Sequence, residues 1–436
     1  MDSTKPTLAT PQVGADLSPR DRVKAIIAGS MGNLIEWYDY YVYAFTALYF
    51  SAAFFPKGDR TAQLMATGGV FAVGFLLRPL GGWFFGRLAD RRGRRSGMVV
   101  SVVMMGLGSL LIACLPTYNQ IGAFAPILLL LGRMIQGFSA GGQYGAAATY
   151  LSEIAVSGKR GFYASFQYVT LIGGQLTALL VILILQTVLS DAGMRSFGWR
   201  IAFVLGAGMS GTILLFRHLM HETSEAGDRH ERAGTLKELA RYPRAFFTVL
   251  GLTAGGSVIF YTFTTYMQKY LVNTAQMEAK TVNRVMTCVL IPFALLQPVF
   301  GLLSDKIGRR GNMLIFGVLA MVTTAPLLTL LGGVRTAGAA FVLVLAGLTI
   351  NSVYTSVSGL LKAELFPIHI RTLGVGLAYG IGNALFGGTA EVVALRFKQI
   401  GHESWFYGYV TAVCLVSLIT ALLMRDTQGA DPLDET

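Results

Sequence analysis

Charge is what this 436-residue chain has least of: Asp, Glu, Lys and Arg make up 13% of it, against 53% hydrophobic residues. So little polar surface cannot cover a soluble protein of this size, and the composition is that of an integral membrane protein. Cysteine is nearly absent. Cys114, Cys288 and Cys414 stand at scattered spacing in apolar segments, and they read as packing residues rather than a disulfide or metal set. The five histidines, His218, His221, His230, His369 and His402, fall in predicted loops or span ends, without metal spacing. There is no GxxxxGK[ST] phosphate loop and no GxSxG elbow. A nucleotide-driven pump and an intramembrane enzyme both lose their usual chemistry, so no catalytic residue, metal or cofactor is expected. The first twenty residues are polar and lack a cleavable signal pattern.

What the chain does contain is a repeat. GRLADRRGRR at 86–95 returns as GLLSDKIGRR at 301–310, an offset of 215 residues. Glu153 and Arg160, seven apart, return as Glu364 and Arg371, an offset of 211. Two elements repeated in the same order argue for two homologous halves.

Apolar runs of spanning length, about 20 residues each, are predicted near 24–50, 66–89, 96–116, 124–151, 161–188 and 199–217. Six more are predicted near 245–270, 282–303, 312–332, 336–361, 373–396 and 403–424. The expected fold is all-α, with twelve transmembrane helices in two pseudo-symmetric bundles at 24–217 and 245–424. A cytoplasmic linker at 218–244 joins them, and tails occupy 1–23 and 425–436. The net charge of +12 does not point to nucleic acid, because most Lys and Arg residues gather in the tails and the loops of one side. That asymmetry makes both termini cytoplasmic.

Ionisable groups inside the hydrocarbon cost about 2.5–3.5 kcal/mol each on insertion scales, so each is a functional hypothesis. Span one carries Glu36 and Asp39, span two Arg78 and span four Arg133. All four are predicted near the midplane of a core about 30 Å thick. The two pairs can neutralise one another at rest, and an incoming dicarboxylate competes with the carboxylates for the arginines. A carboxylate released in a low-dielectric site then takes up a proton. Asp39 is favoured as the proton carrier and Glu36 as a structural partner. Arg78, beside the helix-kinking Pro79, is favoured for substrate, whereas Arg133 divides evenly between substrate contact and helix pairing. In the second half Tyr261, Tyr354 and Asn383 suit hydrogen bonds to a carboxylate or keto oxygen, or equally bonds between helices. Lys269 reads as a snorkelling surface residue, and Glu391 as a partner for Arg396.

The repeated G-x-x-x-D-[RK]-x-G-R-[RK] turn resembles the signature of the major facilitator superfamily. GNLIEWYDYYVYAF at 32–45, RPLGGWFFGRLADRRGRR at 78–95 and RMIQGFSAGGQYG at 133–145 resemble its metabolite:proton symporter family. GFYASFQYVTLIGGQL at 161–176 and FYTFTTYMQKYLVNTA at 260–275 resemble the members that carry α-ketoglutarate. The likeness covers about residues 22–424. It implies a monomeric, multi-pass carrier of a bacterial inner membrane, driven by the proton gradient and importing α-ketoglutarate or a similar dicarboxylate. Within the family the alternatives are shikimate, a citrate-type acid, or an osmolyte such as betaine or proline; outside it, a receptor that binds without transport. The family match adds Gln167 and Gln175 to the substrate candidates. It also implies an inner gate of Asp90, Arg91, Arg94, Glu153 and Arg160, with Asp305, Lys306, Arg309, Glu364 and Arg371 as their second-half counterparts. The chain departs from the family at Gln143, which stands where the pattern usually has Glu.

Overall fold

The computed structural model describes residues 19–56, 60–156, 158–216 and 234–427. Most of the expected linker and both tails lie outside the described residues, and so does the side chain of Arg94. The described chain is helical, with no strand among the described residues.

Twelve spans cross the fold. The first six are Pro19–Phe54, Arg60–Leu76 continued by Arg78–Arg92, Arg94–Cys114, Phe124–Glu153, Arg160–Val188 and Trp199–Phe216. The second six are Pro243–Tyr261 continued to Met267–Asn273, Ala279–Ile307, Arg309–Gly332, Ala337–Thr355 continued by Ser358–Glu364, Arg371–Gly382 continued to Ala390–Gln399, and Ser404–Leu423. Nine helices among the described residues are apolar and long enough to cross a membrane on their own. Spans one, six and eleven complete the twelve.

The interruptions have local causes. Span two breaks at Leu77, with Pro79 in the first turn of the helix that follows, because proline has no N–H to continue the ladder. Arg78 therefore stands at a helix break. Span seven widens into a π-turn over Thr262–Tyr266 and span eleven over Asn383–Gly387, a distortion that recurs at functional sites.

The halves meet where spans two and four pack on span eleven, span five on span eight, and the inner ends of spans four and five on the inner end of span ten. Glycine sets how closely they approach. A Cβ at Gly86 would lie 2.8 Å from Leu373 Cα, and one at Gly301 would lie 2.5 Å from the Gly161 carbonyl oxygen. Both glycines open the repeated turn motif, so each copy lets a helix of the opposite half lie directly against it.

Candidate functional site

The interior between the halves is lined with aromatic rings, and Arg78 is a cation among them. Its side chain is buried, with the guanidinium carbon 4.3 Å from the Phe75 ring, 4.8 Å from Tyr40 and 5.3 Å from Trp37. Cation–π contacts of this kind hold a guanidinium without neutralising it. From the second half, Tyr261 and Tyr379 lie close enough to act on it electrostatically. The Asn383 amide donates to the Tyr261 hydroxyl at 3.5 Å, so the residue preceding one π-turn meets the residue that opens the other.

Arg133 is turned into the first bundle. It lies 4.2 Å from the Tyr43 ring and 5.1 Å from Phe71, and it donates to Gln136 Oε1 at 2.7 Å. Gln136 in turn donates to Ser109 Oγ at 2.7 Å. One small cavity is nonetheless bordered by both arginines, together with Tyr40, Met105 and Gln136.

The carboxylates lie near these cations without touching them. No ion pair joins Glu36 or Asp39 to Arg78 or Arg133, which differs from direct neutralisation at rest. Arg78 is the cation that acts on Glu36, and Arg133 the one that acts on Asp39. Asp39 is fully buried. It faces Ser109 and Ser210 and lies so close to span six that a Cβ at Gly206 would clash with Oδ1. Buried charges separated this way depend on one another through space, and neither is discharged.

Among the other candidates, Gln167 donates to the Tyr144 carbonyl at 3.4 Å and points its own oxygen at Gly359 of span ten. Tyr354 is buried with its hydroxyl facing Ser358 and Thr253, and Gln175 is buried with Oε1 unpartnered. Gln143 accepts from Ser101 Oγ at 2.7 Å, while its amide nitrogen is buried without a partner beside Gly32.

The repeated acidic residues cap helices across the interface. Asp305, at the end of span eight, accepts from the Gly161 and Phe162 N–H groups at 2.8 and 3.1 Å, at the start of span five. Asp90, at the end of span two, accepts from Thr372 and Leu373 N–H at 3.3 and 3.0 Å, at the start of span eleven. A carboxylate there satisfies orphan donors and complements the helix dipole. Arg371 pairs with Glu153 of the opposite half at 3.3 Å, and Arg309 pairs with Asp305 at 3.0 Å and Glu364 at 3.4 Å. Arg160 acts on Glu364 electrostatically. Arg91 and Lys306 are exposed at the same end.

On the opposite side Lys269 pairs with Glu391, correcting both the surface reading of Lys269 and the Arg396 pairing of Glu391. Their cleft is shared with Tyr43, Thr67, Gly68 and Phe71 of the first half. Sequence reasoning also missed Lys362, which is buried beside Tyr144 and Ser358. A lysine just past a predicted span end reads as snorkelling. The available signal was the spacing of Tyr354, Ser358 and Lys362 at successive i, i+4 positions of one helix face.

A family model described as sugar (and other) transporter matches residues 24–235 and 220–431. The α-ketoglutarate permease of Escherichia coli (strain K12) is 56% identical over 407 residues, covering 93% of this chain and 94% of the relative. A proline/betaine transporter of the same strain is 33% identical, covering 94% and 85%. A citrate-proton symporter of Klebsiella pneumoniae is also 33% identical, covering 93% and 92%. Among solved structures, the proton:xylose symporter bound to 6-bromo-6-deoxy-D-glucose superposes with a TM-score of 0.75 at 17% identity, covering 96% of this chain and 99% of that one.

Proposed function

Since this chain belongs to the sugar (and other) transporter family, within the major facilitator superfamily, we propose that it is a proton-coupled symporter importing α-ketoglutarate or a similar short dicarboxylate. It works by alternating access in a bacterial inner membrane, as a monomer with both termini cytoplasmic, and draws on the proton gradient with no bound cofactor. The observation that carries this reading is Arg78: a buried guanidinium at a helix break, held by three rings and paired with no carboxylate. A guanidinium fork matches a carboxylate with two parallel hydrogen bonds. Tyr261 and Asn383, which meet each other across the second bundle, stand ready to bond the keto oxygen. Tyr354, Gln167 and Gln175 extend the polar wall.

Substrate on Arg78 withdraws the field that this cation exerts on Glu36. Asp39, in the field of Arg133 and facing Ser109 and Ser210, carries the proton. Through Gln136 and Tyr40, Arg133 links the proton site to the substrate cavity. The substrate is a dianion near neutral pH, so its electroneutral entry against an inside-negative potential requires at least two protons.

The test is uptake of labelled α-ketoglutarate by proteoliposomes, with and without an inward proton gradient. The expected result is accumulation that a protonophore abolishes. It would also show that Gln143 does not prevent coupling. Uptake that only equilibrates would keep the substrate but remove symport, and Gln143→Glu, where Ser101 can still donate to the carboxylate, would then be expected to restore accumulation.

The inner latch gives a separate prediction. Asp90→Ala removes the acceptor for two N–H groups of the opposite half, a loss of about 0.5–2 kcal/mol that falls only on the inward-closed state. Substrate affinity should change less than about threefold, while turnover slows by up to about 30-fold. Lost binding in an equilibrium assay would remove Asp90 from the gate.

A further inference from the structure

Lys362 has no counter-charge among the described residues. Its ammonium is buried and donates to Ser358 Oγ at 2.7 Å and to the Tyr144 hydroxyl at 3.0 Å. It lies 4.5 Å from the Tyr379 ring, 5.0 Å from Tyr144 and 5.3 Å from Tyr354. No carboxylate pairs with it among the described residues. An ammonium has three N–H donors, and these two hydroxyls take two of them. Tyr354, whose ring lies by the same ammonium, has its buried hydroxyl beside Ser358 and Thr253. Tyrosine faces ease the burial of a cation but do not discharge it.

The lysine lies between the halves and next to the arginine site. Tyr144 comes from span four, and its ring stacks on Tyr379 of span eleven with centroids 3.4 Å apart. Tyr379 also acts on Arg78, and the following residue, Gly380, lies against the Arg78–Pro79 backbone. One tyrosine thus borders both cations, neither of which is in an ion pair among the described residues. Two like charges flanking one aromatic wall in a water-poor interior are unfavourable until an anion lies between them.

We propose that Lys362 binds the second carboxylate of the transported dianion, with Arg78 holding the first, so that this pair of cations makes the carrier selective for dicarboxylates. The inference rests on the dicarboxylate reading above and adds to it the residue that recognises the distal end. The orientation follows from the donors. The guanidinium fork, with Tyr261 and Asn383 alongside, suits the carboxylate and keto oxygen of a 2-oxo acid; the compact ammonium, with the Tyr354 hydroxyl, suits a lone carboxylate. Because Lys362 is two residues from Glu364 and holds Tyr144 of the opposite half, a carboxylate on its ammonium also draws the inner ends of the two bundles together.

The test is equilibrium binding to the purified full chain of α-ketoglutarate and of its distal monoamide, which keeps the 2-oxo acid end. The wild-type protein should prefer the dicarboxylate by about 10- to 100-fold, the range for one charge-assisted hydrogen bond in a desolvated site. Lys362→Gln should lose that preference by weakening α-ketoglutarate alone, leaving the monoamide within about threefold. Lys362→Arg, which keeps the charge, should restore part of the preference. Ser358→Asp, which sets an internal carboxylate beside the ammonium, should lower dicarboxylate affinity selectively even if Lys362→Gln fails to fold. If Lys362→Gln weakens both compounds equally, or if Lys362→Gln or Ser358→Asp keeps the wild-type preference, Lys362 is not the distal site. A wild-type protein that binds neither compound overturns the dicarboxylate reading, and this inference with it; wild-type binding with unaltered selectivity in the variants overturns the inference alone.

Discussion

Arg78→Ala is expected to abolish measurable α-ketoglutarate binding while leaving a folded protein. The guanidinium is buried among Phe75, Tyr40 and Trp37, so these rings fix the plane of its fork before substrate arrives. Pre-orientation of this kind lowers the entropic cost of binding. Removing one partner of a buried, hydrogen-bonded charge pair costs about 3–5 kcal/mol, a loss of about 150- to 5,000-fold in affinity. Arg78→Lys separates charge from geometry. An ammonium on a flexible stem keeps the positive charge but forfeits the two parallel bonds and the stacked plane, so its affinity should fall between wild type and the alanine variant. Titration calorimetry in detergent measures both variants, and a thermal melt reports the fold. Binding by Arg78→Ala within threefold of wild type would place the anchor elsewhere, and Arg133, on the same small cavity, would be next to test.

The features that sequence made legible are those written along a single helix. Apolar run length, the repeated turn, and Pro79 beside Arg78 depend on near neighbours in the chain, and the twelve spans and the break in span two appear where they were expected. Depth is also legible, since rise per residue converts position into distance from a membrane face. Rotation about the helix axis is not. Arg78 and Arg133 were placed at one depth, yet Arg78 faces the second half while Arg133 faces Gln136 and Tyr43. Which helix lies opposite is equally hidden. Asp90 and Asp305 were read as gate residues, but their acceptor roles toward Leu373 and Phe162 depend on a packing partner far away in sequence. Glu391 was assigned to a neighbour on its own helix, and the cation it meets comes from span seven. Lys362 escaped because span ten continues past its irregular turn to Glu364, carrying inward a lysine that the apolar run had left at the boundary.

Asp39→Asn should uncouple the carrier without disabling it. Asparagine has nearly the shape of the protonated carboxyl, so it fits the narrow space against Gly206 and can bond Ser109 and Ser210. It cannot release a proton on either side of the membrane, and it removes the negative charge in the field of Arg133. Exchange of internal for external α-ketoglutarate, in which the substrate-loaded carrier reorients with its protons in place, should proceed within about threefold of the wild-type rate. Net accumulation should fail. A gradient of one pH unit supplies about 1.4 kcal/mol per coupled proton, a factor of about ten in the accumulation ratio. If Asp39 sets all the coupling, the variant equilibrates substrate and shows no protonophore effect. Should accumulation fall by only about one such factor, Glu36 carries a second proton, and Glu36→Gln combined with Asp39→Asn would remove the remainder. A variant that concentrates substrate as wild type does would move the proton off span one altogether. The coupling would then have to arise where substrate meets the second bundle, with Arg78 acting only as an anchor.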